Sequence, residues 1–231
     1  MTGVDACRDG WAGVDVDVDA DGAGRVAGLV AIRVAGSLAE LLAGAAPGQV
    51  VGVDMPLGLL ARGWREADRE ARRRLGPRRS SVFAIPPAAV WQQPDYSAAL
   101  AECRRLTGSG FSVQAWGLRG KLLEANDYRR RGSQRLYEVH PELSFSSLAG
   151  APLPEPKSRP AGQALRRAVL DAAGLHVPDD PGDPGWRRAA VDVLDAAAVA
   201  WTAGRIAAGR ATVLPDPPQT GDDGRQIAIR Y

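Results

Sequence analysis

The chain has 231 residues, of which 45% are hydrophobic and 24% charged, and its formal net charge is +2. This is the composition of a globular protein with an ample core, and the low net charge excludes a strong whole-molecule field for nucleic acid. No apolar run reaches the ~20 residues that cross a bilayer, and no basic-then-apolar leader opens the chain. We therefore expect a cytoplasmic protein with no membrane partner.

Cysteine and lysine are both scarce. Cys7 and Cys103 are the only cysteines, and they stand in no metal-ligand spacing, so we interpret them as reduced structural thiols. Nearly all basic residues are arginine, and Lys121 and Lys157 are the only lysines. Arginine abundance is then weak evidence for phosphate binding, and the two lysines are of more interest because arginine serves wherever charge alone suffices.

The first quarter of the chain predicts a run of strands. Residues 2–6 are apolar, residues 11–18 alternate valine with aspartate, and residues 25–34 resume an apolar pattern after a turn at 21–24. Tight turns between them predict an antiparallel meander. Ser37 then caps a short helix over 38–43, with Glu40 placed as in a capping box, and residues 49–53 form a buried strand after this helical crossover.

The rest of the chain predicts mainly helices. We expect helices over 64–75, 96–106, 113–130, 161–173 and 186–208, and strands over 135–139 and 226–229. Pro141 ends the first of these strands, and residues 215–224 carry turn signals. We interpret residues 1–231 as a single α/β domain, with a helical insertion at 62–131.

Acidic residues follow or interrupt apolar segments at four places. Asp5 and Asp54 each end an apolar strand, Glu138 has a similar setting, and Asp192 and Asp195 share one face of an apolar helix. Buried carboxylates cost several kcal/mol unless a partner compensates them, and a divalent cation is a common partner. These residues therefore predict one shared site, with Mg²⁺ or Mn²⁺ as the cation that suits all-oxygen ligands.

The order of elements indicates how the acids meet. Three strands, a helix and a fourth strand, with aspartates in the first and fourth strands, is the order of the ribonuclease H-like fold. There the first and fourth strands are neighbours, so Asp5 and Asp54 would face the same space and hold cations ~4 Å apart for phosphodiester hydrolysis. Either aspartate has a structural alternative, since Asp5 can cap a turn and Asp54 can be a strand-end acid.

Three other choices stay open at this point. Glu138 or Glu142 can be the third ligand, and we prefer Glu138 because Pro141 interrupts the strand between them. Asp192 and Asp195 compete for the fourth position. His140 is a lone histidine, which is more often structural than catalytic.

Several motifs together resemble one known family, domain of unknown function family 429, described as predicted ribonuclease H-like nucleases. The motifs lie at residues 3–11 (GVDACRDGW), 52–58 (GVDMPLG), 69–72 (REAR), 75–83 (LGPRRSSVF), 114–116 (QAW), 138–145 (EVHPELSF) and 192–196 (DVLDA). The resemblance implies a ribonuclease H-like mixed sheet flanked by helices, with Asp5, Asp54, Glu138 and Asp192 or Asp195 at the active centre. It also implies a cleft lined by Arg8, Arg79, Ser80, Ser81, Gln114, Lys121, His140 and Lys157, all of which except Lys121 are candidates for binding substrate. The chain departs from the pattern at Val191-Asp192, where two adjacent acids are expected.

These arguments predict a nuclease or phosphodiesterase that depends on a divalent metal, with nucleic acid or a small phosphorylated ligand as its partner. Asp5 and Asp54 would bind the metals, and Glu138 and Asp195 would complete the shell. Lys121 would stabilise charge, and Arg78 and Arg79 would contact phosphates.

Two alternatives use the same cleft. One is a nucleotide-binding phosphotransferase related to the actin and sugar-kinase ATPases, although glycine-rich phosphate hairpins are not evident. The other is a non-catalytic module that binds a small phosphorylated ligand or a protein partner.

Overall fold

A computed structural model describes residues 1–19, 24–131, 135–179 and 188–231. Its contacts divide the chain into two compact units. The first unit comprises Met1–Met55, Arg131–Thr212 and Arg230–Tyr231, and the second comprises Pro56–Arg130 and Val213–Ile229. The sequence-based interpretation of one domain with an insertion at 62–131 stays a prediction.

The strands are β1 (Thr2–Cys7), β2 (Gly10–Val18), β3 (Val26–Ala35), β4 (Val50–Asp54), β5 (Arg135–Glu138), β6 (Val213–Thr220) and β7 (Gln226–Arg230). The helices are α1 (Leu38–Leu41), α2 (Glu66–Leu75), α3 (Ala88–Trp91), α4 (Tyr96–Thr107), α5 (Val113–Gly117), α6 (Arg119–Arg131), α7 (Pro141–Ala149), α8 (Pro160–Ala172) and α9 (Ala190–Ala207), with a 3-10 helix over Gly76–Ser81.

A five-stranded mixed sheet forms the centre of the first unit, in the order β3-β2-β1-β4-β5. The β1–β2 and β2–β3 pairs are antiparallel, whereas the β1–β4 and β4–β5 pairs are parallel. The predicted meander and the predicted contact between the first and fourth strands are both confirmed. The parallel pairs follow from the helical crossover, because two parallel neighbours need a long connection between them.

Helix α9 covers one face of this sheet at very close range. A Cβ atom built on Gly3 would lie 2.1 Å from the Ala196 carbonyl oxygen and 2.1 Å from the Ala200 nitrogen. On the neighbouring strand, a Cβ atom on Gly52 would lie 2.7 Å from Val199 Cγ1. Glycine in the strands and alanine on the helix together let the two backbones touch.

The remaining helices of the unit complete the layers. On the opposite face, Leu41 of α1 packs over Gly13, and Ser37 accepts a hydrogen bond from the Glu40 amide as the sequence predicts. Helices α7 and α8 pack against α9, where Ser144 and Thr202 share a buried hydroxyl hydrogen bond of 2.8 Å. The result is a sheet between a small helical layer and a larger one.

The second unit combines α2 to α6 with the two-stranded sheet of β6 and β7. Trp91 stacks on Trp116, with centroids 6.1 Å apart, and Phe111 meets both rings edge-on. Asn126 accepts a hydrogen bond from the Gly58 amide and donates to the carbonyl of Pro56. These contacts tie the start of the unit to α6.

Several features differ from the sequence-based prediction, and α3 and the 3-10 helix were not predicted. The helix expected over 113–130 is two helices, because Gly117 and Gly120 flank the break and glycine weakens helices. Pro141 ends a strand as expected, but it also begins α7, which was not predicted, since proline fits the first helical position. The turn signals at 215–224 partly overlap β6, whose prolines are tolerated in a two-stranded sheet. The predicted turn at 21–23 and the start of the helix at 186–187 lie outside the described residues.

Among the described residues, no helix is both long enough and apolar enough to cross a membrane.

Gly3→Ala should lower the free energy of unfolding by roughly 2–3 kcal/mol, because the new methyl group would overlap the α9 backbone. Gly28→Ala is the matched control, since a Cβ atom there meets nothing within 4 Å, and it should change stability by about 0.5 kcal/mol or less. Urea unfolding of the three proteins measures both effects. Equal stability of the two variants would contradict the close packing of α9.

Candidate functional site

Asp5 and Asp54 lie side by side at the ends of two parallel strands. They are register partners in the β1–β4 pair, so their backbones are about 4.8 Å apart and their side chains leave the same face. Gly3 and Gly52, two residues earlier on each strand, face α9. Because side chains alternate along a strand, both carboxylates project on the α9 side.

Helix α9 carries two more carboxylates to the same place. Asp195 is only 2% exposed and directly precedes Ala196, which touches Gly3. Asp192 lies one turn earlier on the same helix. Three elements that are distant in sequence thus bring four carboxylates to one end of the sheet. We call Asp5, Asp54, Asp192 and Asp195 the carboxylate cluster.

Lys157 supplies a positive charge to the carboxylate cluster. It belongs to the loop between α7 and α8, and its Nζ lies 2.5 Å from Asp195 Oδ2. The Lys157 side chain is 45% exposed, whereas that of Asp195 is 2% exposed. The sequence resemblance implied a substrate-binding role for Lys157, but the residue it contacts directly in the structure is an acid of the cluster.

Burial and mutual repulsion raise the pKa values of Asp5, Asp54 and Asp192 in the carboxylate cluster. Burial is the main cause that raises the pKa of Asp5 well above its usual range, and the Asp54 and Asp195 carboxylates add to it. The pKa of Asp54 rises to about 8, because loss of water outweighs the opposing attraction of Lys157. The pKa of Asp192 rises to about 6 for the same two reasons, with repulsion from Asp195 in addition. One lysine therefore does not keep all four carboxylates ionised, and without a further cation the cluster retains protons at neutral pH.

The pKa of Lys157 is raised as well, and in a lysine a raised pKa favours the charged form. Burial by itself would lower the pKa of Lys157, but attraction from Asp195, Asp5 and Asp54 raises it above its usual range. The ammonium is thus held in its charged form at every physiological pH.

The chemistry of the cluster fits a hard divalent cation. Its donors are all carboxyl oxygens, which Mg²⁺ and Mn²⁺ prefer, and a cation that displaced their protons would neutralise the carboxylates that result. In the described part of the chain, however, no three His, Cys, Asp or Glu side chains are already arranged as metal ligands. A cation would therefore require some of these side chains to turn, and the Lys157–Asp195 pair is the contact that competes with it.

The other candidate ligands, Glu138 and Glu142, have different surroundings from the aspartates of the cluster. Glu138 is buried and is the register partner of Val53, so its side chain leaves the face of the sheet opposite to that of Asp54. Its charge nevertheless contributes to the raised pKa of Asp54. Glu142, the alternative to Glu138, forms an ion pair with the fully buried Arg166. Its carboxylate is thereby engaged in the packing of α7 against α8.

Two further predicted residues of the first unit lie at element ends. Arg8 is exposed in the turn between β1 and β2, next to Asp9, which pairs with Arg188 ahead of α9. His140 follows β5 directly and is the N-cap of α7, where its carbonyl accepts the Ser144 amide. Both positions are explained by local structure, and their part in binding substrate stays a prediction.

The remaining predicted residues belong to the second unit. Arg78, Arg79, Ser80 and Ser81 lie in the 3-10 helix, and Ser81 donates a hydrogen bond to the Arg78 carbonyl. Gln114 is exposed on α5. Lys121 lies on α6, with its Nζ 3.8 Å from Glu124 Oε2. Their assignment to catalysis or to substrate stays a prediction.

Arg79 also lines a basic groove in the second unit. The groove encloses about 440 Å³, and its lining residues are Arg69, Arg72, Arg73, Gly76 and Arg79. Arg69 pairs with Glu66, and Arg72 donates to the Val82 carbonyl. Arg73 and Arg79 are exposed, and within the described ranges neither guanidinium has an ion pair or hydrogen bond. We call this surface the arginine groove.

Some residues of the site were not apparent from the sequence. Gly3 and Gly52 fix the distance between the sheet and α9, and a glycine two residues before each strand-end aspartate was the available signal. The sequence showed Lys157 as one of two lysines, but nothing local to it indicated a pair with Asp195, 38 residues away.

The raised pKa values predict how stability depends on pH in a metal-free buffer. An aspartate titrates near 3.9 in the unfolded chain, so between pH about 4 and about 8 the folded protein binds more protons. The free energy of unfolding should therefore fall as pH rises through this range, by an amount on the order of a few kcal/mol. Asp54→Asn should make this loss smaller across the whole range, because the unfolded and folded pKa values of Asp54 lie at its two ends.

Urea unfolding in the presence of a chelator, at several pH values across this range, measures the effect. Asp17→Asn is the matched control, because Asp17 is an exposed aspartate of β2 outside the cluster, and it should keep the wild-type slope. Parallel pH curves for Asp54→Asn and the wild type would refute the raised pKa of Asp54.

Comparison with known proteins gives one informative match. The comparison with curated proteins found no matching relative, and the comparison with solved structures found no matching chain. The profile of one family, described as protein of unknown function (DUF429), matches residues 3–220. That match includes every residue of the carboxylate cluster, Lys157 and the arginine groove. The chain therefore belongs to the DUF429 family.

Proposed function

We propose that the protein is a phosphodiester hydrolase that depends on a divalent cation, has a ribonuclease H-like fold and acts on nucleic acid. One observation carries the proposal. Asp5 and Asp54 are register partners at the ends of adjacent parallel strands, and α9 adds Asp192 and Asp195 on the same face. Carboxylates on neighbouring strands and a crossing helix suit a site that holds cations near a phosphate.

The sheet supports the choice of fold. Its order, β3-β2-β1-β4-β5, combines three antiparallel strands with two parallel ones. The strand-end aspartates are on the first and fourth strands in sequence, and a helix late in the chain crosses them. This is the arrangement that the sequence led us to expect of a ribonuclease H-like domain.

The cluster supplies the ligands of the proposed centre. Asp5 and Asp54 would hold Mg²⁺ or Mn²⁺, with Asp192, Asp195 and Glu138 as the further candidates. When bound, such a cation lowers the pKa of water and stabilises the oxygen that leaves the phosphodiester. The excess of acidic over basic groups in the cluster favours this role over a purely structural one, because a structural cluster would be expected to pair its acids with bases.

Positively charged side chains would bind the substrate and stabilise charge during the reaction. Lys121 would stabilise charge, and Arg78 and Arg79 would contact substrate phosphates. The composition of the arginine groove favours a polyanion, since arginine is the only charged residue type that lines it. Many arginines elsewhere pair with a nearby acid, as Arg105 does with Glu102. Within the described residues, Arg73 and Arg79 differ from these paired arginines because their exposed guanidiniums have no acidic partner.

Metal binding tests the centre. Isothermal titration of Mn²⁺ into the wild type should show binding, and Asp5→Asn or Asp54→Asn should weaken it at least about tenfold, since each removes a charged ligand. Asp17→Asn, which removes an exposed aspartate of the same sheet, should bind like the wild type. Equal affinity in all four proteins would contradict the proposed ligands.

Hydrolysis is then assayed on labelled single-stranded and double-stranded DNA and RNA with Mg²⁺ or Mn²⁺. The proposal expects cleavage that disappears with a chelator and in Asp5→Asn. Metal binding without cleavage of any of these substrates would contradict a nuclease and would direct attention to small phosphorylated ligands.

The arginine groove predicts a salt-dependent interaction that needs no metal. With a chelator present, Arg73→Ala combined with Arg79→Ala should weaken binding to a labelled single-stranded oligonucleotide. It should also reduce the slope of log K against log salt by about 1.4, at about 0.7 for each lost phosphate contact. The control pair, Arg62→Ala with Arg104→Ala, removes the same charge from exposed positions of the same unit outside the groove. Equal losses in both pairs would show an effect of net charge and exclude the groove.

A further inference from the structure

We propose that Lys157 is the internal counter-cation of the carboxylate cluster and that it competes with the divalent cation for Asp195. The inference rests on the proposed function, which supplies the divalent cation. It assigns Lys157 a regulatory role at that site, in place of the substrate contact that the sequence resemblance implied.

The two partners of the ion pair differ in their access to water. Lys157 Nζ lies 2.5 Å from Asp195 Oδ2, yet the lysine side chain is 45% exposed and the aspartate side chain is 2% exposed. The ammonium can therefore withdraw into solvent, whereas the carboxylate cannot. If Lys157 leaves, Asp195 needs another cation, because an unpaired buried carboxylate is strongly unfavourable.

The backbone beneath Lys157 is held in place, so only its side chain is free to move. A Cβ atom on Gly162 would lie 2.0 Å from the Pro156 carbonyl oxygen, which shows that the loop rests directly on the start of α8. Gln163 Nε2 donates to the Lys157 carbonyl at 3.2 Å, and Arg166 Nη1 donates to the Glu155 carbonyl at 3.1 Å.

Arg166 fixes this loop to the core of the unit. Its side chain is fully buried, pairs with Glu142 at the start of α7 and lies over the Phe145 ring. The loop is therefore attached through α8 to α7, and the lysine side chain spans the remaining distance to α9. A flexible four-carbon stem on a fixed turn suits a cation that enters and leaves a site.

The choice of lysine supports this role. Arginine provides most of the positive charge in the chain, but its planar guanidinium makes several directed hydrogen bonds at once. Lysine is a compact point charge that an incoming ion can replace without breaking a fork of hydrogen bonds. The single charge of Lys157 also neutralises the cluster only in part, so a divalent ion gains more from the same carboxylates.

Mn²⁺ titration of Lys157→Met tests the competition directly. Methionine keeps the length of the side chain but removes the charge, so Mn²⁺ should bind at least about tenfold more tightly than in the wild type. Arg159→Met is the matched control, because it removes an exposed positive charge two residues away that pairs with Glu155, and it should leave the affinity unchanged. An affinity in Lys157→Met that is equal to or weaker than that of the wild type would overturn the proposal.

A second measurement uses the wild-type protein and does not depend on the variant folding. The chain has two lysines, so mass spectrometry can follow acetylation of each amine separately. Lys157 should react at least several-fold faster when saturating Mg²⁺ is present, because its ammonium has left Asp195. Added Na⁺ at the same ionic strength should not change the reactivity of Lys157. Unchanged protection of Lys157 at saturating Mg²⁺ would also overturn the proposal.

These outcomes separate the inference from the proposed function. If the wild type binds no Mn²⁺ but Lys157→Met does, the competition is supported even though the native protein is not a metal-dependent hydrolase. If metal binds, Lys157 is released and no nucleic acid is cleaved, the competition stands and the nuclease fails. If neither protein binds Mn²⁺, both proposals fail together at the metal, and the acetylation rates will show no response to Mg²⁺.

Discussion

The contact between α9 and the central sheet is the constraint on which the site depends. Gly3 and Gly52 remove the side chains that would hold the helix away, and Ala196 and Ala200 present a bare helix backbone to them. Burial of this alanine-rich helix stabilises the first unit through close packing rather than through large side chains. The same contact places Asp195 beside the strand-end aspartates, so the packing of the core and the geometry of the site cannot be varied independently.

That arrangement buries carboxylates close to one another, and Lys157 compensates them only in part. Burial raises the pKa of Asp5 and brings that of Asp54 to about 8, and the nearby carboxylates repel one another. Lys157 offsets part of this repulsion through its pair with Asp195. Clustered buried acids lower the stability of the folded protein, and such clusters usually occur at functional sites. The proposed metal centre and the proposed competition by Lys157 both follow from the excess of acidic over basic groups in the carboxylate cluster.

The sequence predicted the features that depend on local pattern. Strand alternation and turn signals predicted the meander. The helical crossover predicted a parallel fourth strand, and the ribonuclease H-like order of elements predicted that Asp5 and Asp54 face the same space. Features that depend on tertiary contact were missed or left open. Pro141 is compatible both with ending a strand and with starting a helix, and only packing against α9 decides that α7 forms. The Lys157–Asp195 pair joins a loop to a helix, and the register that turns Glu138 away from Asp54 is fixed only when β5 joins the sheet.

A crystal structure of the protein grown with Mn²⁺, with anomalous diffraction used to locate the ion, tests the proposed metal centre without relying on catalysis. If Asp5 and Asp54 hold the metal, an anomalous peak should lie within coordination distance of both carboxylates, about 2.0–2.3 Å from their oxygens. An ordered protein at saturating Mn²⁺ with no peak there, or with a peak only elsewhere, would show that these paired aspartates do not form a metal centre.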